Sequence, residues 1–157
     1  NHRSKNQVCI AMNIHPLPNN LKITDDKNEM DLDTVHRFLS HTYWSKDIPK
    51  HVVKKAIENS LAVALLIDDE LIGFGRAITD YATFAYLADI YVADAHRGKG
   101  YSKLIVSTLF EKCGSSDLRR MLLATADAHG LYRQFGFTDL AQPASFLEIH
   151  QANVYQR

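Results

Sequence analysis

The spacing of apolar residues changes several times along the chain, and each change predicts an element. Residues 21–26 alternate and end in Asp25-Asp26, which reads as a first strand. Asp31 or Asp33 then caps a helix that carries Leu32, Val35, Phe38 and Leu39 on one stripe. Residues 40–49 hold His41, Tyr43, Trp44 and Pro49 and form a loop. Pro49 suits the first turn of a second helix with Val52, Val53, Ala56 and Ile57 apolar. Three apolar runs of strand character follow, at Leu61–Ile67, 71–79 and 83–92. They are separated by Asp68-Asp69-Glu70 and Asp80-Tyr81, and such short connections favour antiparallel pairing.

From Gly98 the period becomes helical: Tyr101, Ile105 and Leu109 recur, joined by Leu104, Val106 and Phe110, until Gly114 ends the helix. Residues 120–125 read as a strand, 128–135 as a short helix closed by Gly136, and 137–140 and 146–149 as two final strands. The expected order is β, α, α, β, β, β, α, β, α, β, β. There are no repeats and no interdomain linker, so residues 21–157 are expected to form one domain. Residues 1–20, with Pro16, Pro18 and Asn19-Asn20, are expected to be a flexible N-terminal segment. Met12 is a candidate start, which would make 1–11 an extension.

Composition narrows the classes. The chain has 157 residues, 46% hydrophobic and 23% charged, which excludes wholesale disorder and fits a single domain. Lys plus Arg and Asp plus Glu both number 18, so no global attraction for a polyanion exists, and no nucleic-acid partner is expected. The longest apolar run falls far short of the ~20 residues of a membrane span, so no membrane association is expected. The N-terminus lacks the layout of a secretory signal. Cys9 and Cys113 are far apart and fit no metal spacing, which points to a reducing, cytoplasmic setting and not to a disulfide. The eight histidines are scattered without ligand spacing, so no metal is expected, and His36 and His51 read as helix-surface residues.

The segment richest in chemistry is Leu87-Ala88-Asp89-Ile90-Tyr91-Val92-Ala93-Asp94-Ala95-His96-Arg97-Gly98-Lys99-Gly100-Tyr101-Ser102. A strand runs into a Gly-rich basic turn that opens a helix. The first turn of a helix has free N–H groups and partial positive charge, and glycine lets a phosphate reach them. Arg97 and Lys99 add charge, and Ser102 adds a small hydroxyl. The same glycines would also serve a turn needing only backbone freedom. The turn matches neither a P-loop nor a full Rossmann fingerprint. About 30 residues downstream lies Ala128-His129-Gly130-Leu131-Tyr132-Arg133-Gln134-Phe135-Gly136-Phe137.

Together the two segments resemble the GNAT (Gcn5-related N-acetyltransferase) superfamily. Arg97-Gly98-Lys99-Gly100-Tyr101-Ser102 is similar to its coenzyme A motif, [Q/R]-x-x-G-x-[G/A], with Ser102 in the last small position. Ala128, Leu131, Tyr132, Gly136 and Phe137 are similar to its downstream A-x-x-L-Y-x-x-x-G-F pattern. The resemblance covers about residues 60–140. It implies a three-layer α/β/α fold, a mixed α+β arrangement around a central, mostly antiparallel sheet of six to seven strands. It implies an N-acetyltransferase that passes the acetyl group of acetyl-CoA directly to a primary amine, with a homodimer expected by analogy. The pantetheine arm would pair with Ile90, Tyr91 and Val92. The diphosphate would sit on Arg97, Gly98, Lys99, Gly100, Tyr101 and Ser102. Tyr132 would meet the CoA sulfur and protonate the departing thiolate.

The run 87–92 resembles the polyamine-acetylating branch, which has Glu-Asp where this chain has Ala88-Asp89. Asp89 is then a candidate catalytic or substrate-positioning carboxylate, or alternatively a hydrogen-bonded strand residue. Tyr43, Trp44, Asp80 and Tyr81 are the acceptor-side candidates, since acidic and aromatic groups suit a cationic amine. Asp127 is read as the N-cap of the last helix, and Thr125 stands where the family often has Asn. Two other classes fit less well: an acetyl-CoA sensor without turnover, and a nucleotide-binding α/β domain of another family, which would need βαβ crossovers.

Overall fold

Leu61–Ile67 (β2) shows how the layers arise. Its neighbouring side chains point to opposite faces. Ala62, Ala64 and Leu66 join one buried cluster, whereas Val63 and Leu65 join another. A strand buried on both faces needs cover on both, and two helix layers supply it. The structure is a computed structural model, and it describes residues 17–156. The expectations for residues 1–11, Met12, Cys9, His2 and His15 lie outside the described residues.

The other strands are Leu21–Thr24 (β1), Glu70–Thr79 (β3), Phe84–Val92 (β4) and Arg120–Leu122 (β5). The helices are Leu32–Ser40 (α1), Lys50–Glu58 (α2), Tyr101–Cys113 (α3) and His129–Arg133 (α4). The sheet order is β1-β2-β3-β4-β5. The first four strands are antiparallel neighbours and β5 runs parallel to β4. That pattern follows from the connections, because Asp68 and Asp69, both at positive φ, make a tight hairpin while α3 carries the crossover to β5. The antiparallel meander is incompatible with the doubly wound alternative.

α1 and α2 cover one face, with Val35, Leu39, Val53 and Ile57 packed on Phe74 and Leu71. α3 covers the other, with Tyr101, Ile105, Val106 and Leu109 on Ile72, Ala77 and Leu87. α3 comes very close to β3 at Gly75, where a Cβ would lie 2.5 Å from Ile105 Cγ2 and 2.8 Å from Ile90 Cδ1. Of the two caps expected for α1, Asp31 is the one used, accepting from Thr34 N at 3.2 Å. Gly114 ends α3 in the left-handed region (φ 73°). His51 is exposed, but His36 is half-buried and its Nε2 bonds Ile48 O at 2.9 Å, bracing α1 against the loop.

The sheet has five strands where six to seven are expected. Residues 137–140 and 146–149 have the apolar content of strands but form none. Phe137 packs on Phe110 and Tyr132, and Phe146 lies under the Arg120 guanidinium, so both rings are spent on local packing. A 3-10 turn at Pro143–Ser145 separates the two segments. β5 is likewise shorter than the expected 120–125, because its pairing with β4 ends at Tyr86–Leu122.

Candidate active site

The early end of β5 ladder pairing shapes the site. β4 continues to Val92, so from Leu87 onward its β5-side edge has no strand beside it. A cleft of about 750 Å³ opens there. Its walls are the 38–44 segment, Ile90, Tyr91 and Val92 of β4, the turn into α3, and Asp127, Ala128 and Leu131.

β4 carries a bulge within this stretch. Phe74 faces Tyr91 and Arg76 faces Ala88, so Gly75 stands opposite the extra residue, and Asp89 takes φ 58°. Asp tolerates that conformation better than most residues. The bulge turns Asp89 toward the α1–α2 side, where it is buried at 8% exposure. Arg76 Nε donates to its Oδ2 at 2.6 Å and Trp44 Nε1 to its Oδ1 at 2.9 Å. Both carboxylate oxygens are therefore engaged. Tyr43 stacks edge-on against Trp44, and its hydroxyl accepts from Ala126 N at 3.0 Å. The α1–α2 loop is thus fastened on both sides of the splay, to β4 by Trp44 and to the segment after β5 by Tyr43.

At the other end of the cleft, Gly98 (φ 78°) and Gly100 (φ 83°) are both left-handed. A Cβ on Gly98 would meet nothing within 4 Å, so the backbone there faces open space. Gly100 caps α3 without any side-chain bond to the first turn, which leaves the Tyr101 and Ser102 N–H groups without intrahelical acceptors. His96 Nδ1 is buried beside this turn with no partner. Arg97 is tied back: its Nε donates to Val92 O at 3.0 Å, its Nη1 meets Asp94 at 2.8 Å, and it lies over the Tyr91 ring. Lys99 is exposed on the turn. Tyr101 lines the cleft, but its ring is mostly in the α3 core. A diphosphate fits this arrangement, since free N–H groups, a bare glycine backbone and a helix N-terminus converge on one opening.

Tyr132 is buried and its ring meets Phe137. Burial pushes its phenol up to about 12, with Tyr43 and Asp127 of the cleft adding to the shift. It therefore stays protonated at neutral pH. Tyr132 lines a second cleft beside β5 and is not among the residues that line the first.

Two expectations are corrected by position. Asp80 and Tyr81 sit at the opposite end of β4, outside the cleft lining. The Asp80 carboxylate accepts from Ala82 N, Thr83 N, Phe84 N and Thr83 Oγ1, which holds its pKa far below the usual carboxylate range. Its chemistry is consumed by the turn. Asp127 does not cap α4; Thr125 Oγ1 takes the Ala128 N–H at 3.1 Å, leaving Asp127 in the cleft wall. The sequence reading missed Arg76, whose signal is a lone cation in the apolar strand Glu70–Thr79, across from a lone carboxylate in Phe84–Val92. It also missed Phe38, which stacks on Tyr91 at 4.6 Å. Among the described residues, no group of three or more His, Cys, Asp or Glu is placed to hold a metal, and no helix is long and apolar enough to cross a membrane.

A splayed β4–β5 pair beside a glycine turn at a helix N-terminus defines the acyl-CoA-dependent transferase class. The Acetyltransferase (GNAT) family model matches residues 29–137, and the chain belongs to that family. A GNAT-family protein of Xanthomonas campestris pv. campestris is 40% identical, with a TM-score of 0.86 over 90% of this chain and 100% of that one. A Gibberella zeae protein that carries an acetyltransferase name is 27% identical over 139 residues, 74% of this chain and 78% of that protein. A Clostridium acetobutylicum structure described as a predicted acetyltransferase with acetyl-CoA shares the fold, at 15% identity and a TM-score of 0.58, over 83% of this chain and 95% of that one. The protein is a GNAT acetyltransferase of the EC 2.3.1 type with the α/β fold of its family.

Proposed function

We propose that this chain binds acetyl-CoA in the 750 Å³ cleft and transfers the acetyl group directly to the primary amine of a small molecule. The observation that carries this reading is the free β4 edge from Leu87 to Val92, which leads straight into the Gly98–Gly100 turn. The C. acetobutylicum neighbour, described as holding acetyl-CoA, supports the donor. A structural neighbour described as glucosamine-6-phosphate N-acetyltransferase of Arabidopsis thaliana, at 14% identity, is compatible with a small amine acceptor.

The pantetheine arm adds to β4 along Ile90, Tyr91 and Val92 through main-chain hydrogen bonds, as a strand would. The diphosphate rests on the N–H groups of 98–102, with Arg97 and Lys99 supplying positive charge. The neutral amine attacks the thioester carbonyl, a C–N bond forms, and the C–S bond breaks. A strand N–H at the splay steadies the oxyanion. Tyr132 gives its phenolic proton to the departing thiolate, and the proton shed by the new ammonium returns the site to its starting charge through solvent. Asp89 acts as a positioning residue: with Arg76 and Trp44 on its two oxygens, it holds the loop bearing Tyr43 and Trp44 over the acceptor side.

The test joins binding to turnover. Acetyl-CoA and CoA at 100-fold over Kd are expected to raise Tm by roughly 5–10 °C, and NAD and ATP are not. Free thiol should then appear only when a primary amine is added to protein and acetyl-CoA. Absence of any shift with CoA ligands would refute the cleft assignment. Intact binding without thiol release across a panel of small primary amines would refute the acceptor class.

A further inference from the structure

The cleft of about 750 Å³ carries its fixed charges unevenly. Among the described residues, the Asp, Glu, Lys and Arg side chains that line it are Asp94, Arg97, Lys103 and Asp127. The first three stand at the turn into α3, where the diphosphate is proposed to sit. There Arg97 Nη1 pairs with Asp94 at 2.8 Å, and Lys103 lies in the first turn of the helix. Asp127 stands apart from them, on the segment between β5 and α4. Its carboxylate has no hydrogen bond and no ion pair among the described residues. The backbone around it is fastened on both sides: Ala126 N donates to the Tyr43 hydroxyl at 3.0 Å, and Ala128 N donates to Thr125 Oγ1 at 3.1 Å. An unpaired carboxylate is ordinary on an open surface, but this one is held in the wall of a cleft with its oxygens unspent, which preorganises it for a ligand.

The surroundings suit a positive ligand. The bond from Ala126 N brings the Tyr43 ring to the Asp127 segment, and that ring is 61% exposed and meets Trp44 edge-on. An exposed aromatic face near a carboxylate attracts an ammonium group through charge and through the ring quadrupole. The same pair repels a carboxylate or a phosphate. Asp127 is also within electrostatic range of the group proposed to protonate the thiolate: after burial and Tyr43, its charge helps push the Tyr132 phenol up. The acidic acceptor-side group expected at Asp80 is spent on its own turn. Asp127 is the carboxylate left to fill that place.

We propose that Asp127 selects the acceptor by charge. It admits primary amines whose remaining atoms carry no negative charge, and it turns away amines that bear a carboxylate or a phosphate. This rests on the acetyl-transfer reading and narrows its acceptor class. Asp127 takes no part in bond making: the ammonium drawn to it loses a proton to solvent before it attacks, and Tyr132 still supplies the proton to sulfur. The cleft is then polarised along its length, with the basic turn for the anionic donor and the Asp127 wall for the cationic acceptor. Repulsion at each end keeps the wrong partner out, which is specificity by exclusion as well as by attraction.

Matched acceptors test this on protein saturated with acetyl-CoA: butylamine against γ-aminobutyrate, phenethylamine against phenylalanine, and glucosamine against glucosamine-6-phosphate. Thiol release is followed for the parent, Asp127→Asn, Asp127→Glu and Asp127→Lys. The parent should favour the member without the anion by at least ~10-fold in kcat/KM, mainly through KM. Asp127→Asn should lower that ratio by ~10-fold, Asp127→Glu should keep most of it, and Asp127→Lys should invert the preference. The ratio is taken between two acceptors on one variant, so changes in folded fraction or in acetyl-CoA binding cancel. A parent that uses the anionic members equally well, or an Asp127→Asn protein that keeps the parent's ratio, would overturn the proposal and leave acetyl transfer standing. Protein that binds acetyl-CoA yet releases no thiol with any member would overturn both.

Discussion

At its N-terminal end β4 is paired on both edges: Ala85 faces Thr79 on one side and Met121 on the other. The turn that delivers it is saturated, with one Asp80 carboxylate taking three backbone N–H groups and a hydroxyl. At its C-terminal end β4 keeps only its β3 neighbour, carries a bulge at Asp89, and runs into a helix whose first N–H groups have no side-chain cap. Buried or rigid polar groups normally find internal partners. One end of the strand obeys that rule fully, and the other leaves donors facing a cleft. Both ends contain an aspartate beside aromatic residues, but Asp80 spends its carboxylate on its own turn while Asp89 binds Arg76 and Trp44 from other elements.

The largest expected effect comes from Tyr132→Phe, which should lower kcat by ~10²–10⁴-fold while leaving acetyl-CoA affinity nearly intact. Calorimetry beside steady-state kinetics checks both halves, and an unchanged kcat would remove Tyr132 from the acid role. The raised phenol also predicts a pH effect. The folded protein holds this proton up to about 12 while the ordinary value is 10.0. Between those values the native state binds more protons than the unfolded one, so stability falls as pH rises through that window. Urea midpoints for the parent should decline there more steeply than for Tyr132→Phe.

Gly100→Glu attacks the open end directly. It forces a side chain into a left-handed position, at about 1–3 kcal/mol, and sets negative charge at the turn proposed to hold the diphosphate. Acetyl-CoA binding should weaken by at least ~100-fold, measured by titration calorimetry on protein shown to be folded. Asp89→Asn keeps a residue that tolerates φ 58° but removes the charge facing Arg76. Denaturant unfolding should show a loss of about 2–4 kcal/mol, since Arg76 is only 16% exposed and loses its counter-ion. Asn offers one acceptor oxygen to two donors, Arg76 Nε and Trp44 Nε1, so the loop's anchor weakens and the acceptor KM should rise.

Asp80→Ala is the counterpart at the closed end and the smallest change. It should lower Tm modestly and leave acetyl-CoA affinity unaltered. Because the Asp80 pKa is depressed below its ordinary 3.8, its contribution is present above that pH and is lost as pH falls below it. The Tm difference between Asp80→Ala and the parent should therefore shrink on acidification. A loss of acetyl-CoA binding in this variant would undo the distinction between the two ends.

Much of the architecture is legible in the residues themselves. The unbroken apolar run Leu61–Ile67, the Asp31 cap and the glycine at 114 each act locally, so the chain displays them directly. The glycine turn and the Tyr132 segment are legible for the same reason. What escapes is whatever depends on strand register. Nothing in 83–92 announces a bulge, so the direction of Asp89 and its union with Arg76 and Trp44 are invisible in one dimension. Asp80 misleads because a carboxylate bonded to its own turn looks, in sequence, like one awaiting a cation. The two missing C-terminal strands mislead in another way: 137–140 and 146–149 have strand composition, but a ladder needs a neighbour, and within one described chain β5 does not receive one.

The bulge at Asp89 also works as a frame shift. Before it, Leu87 faces α3; after it, Ile90 and Val92 face α3 while Tyr91 meets Phe38. Run regularly through the same residues, the strand would put the distal half of β4 out of phase with the proximal half, and the bulge absorbs the extra residue. Removing one residue from the bulge would leave Leu87, Ile90 and Val92 on one face in plain alternation, but it would take away the left-handed position from which Asp89 reaches Arg76 and Trp44. The extra residue thus sets where one carboxylate points while leaving the two faces of the strand where they were.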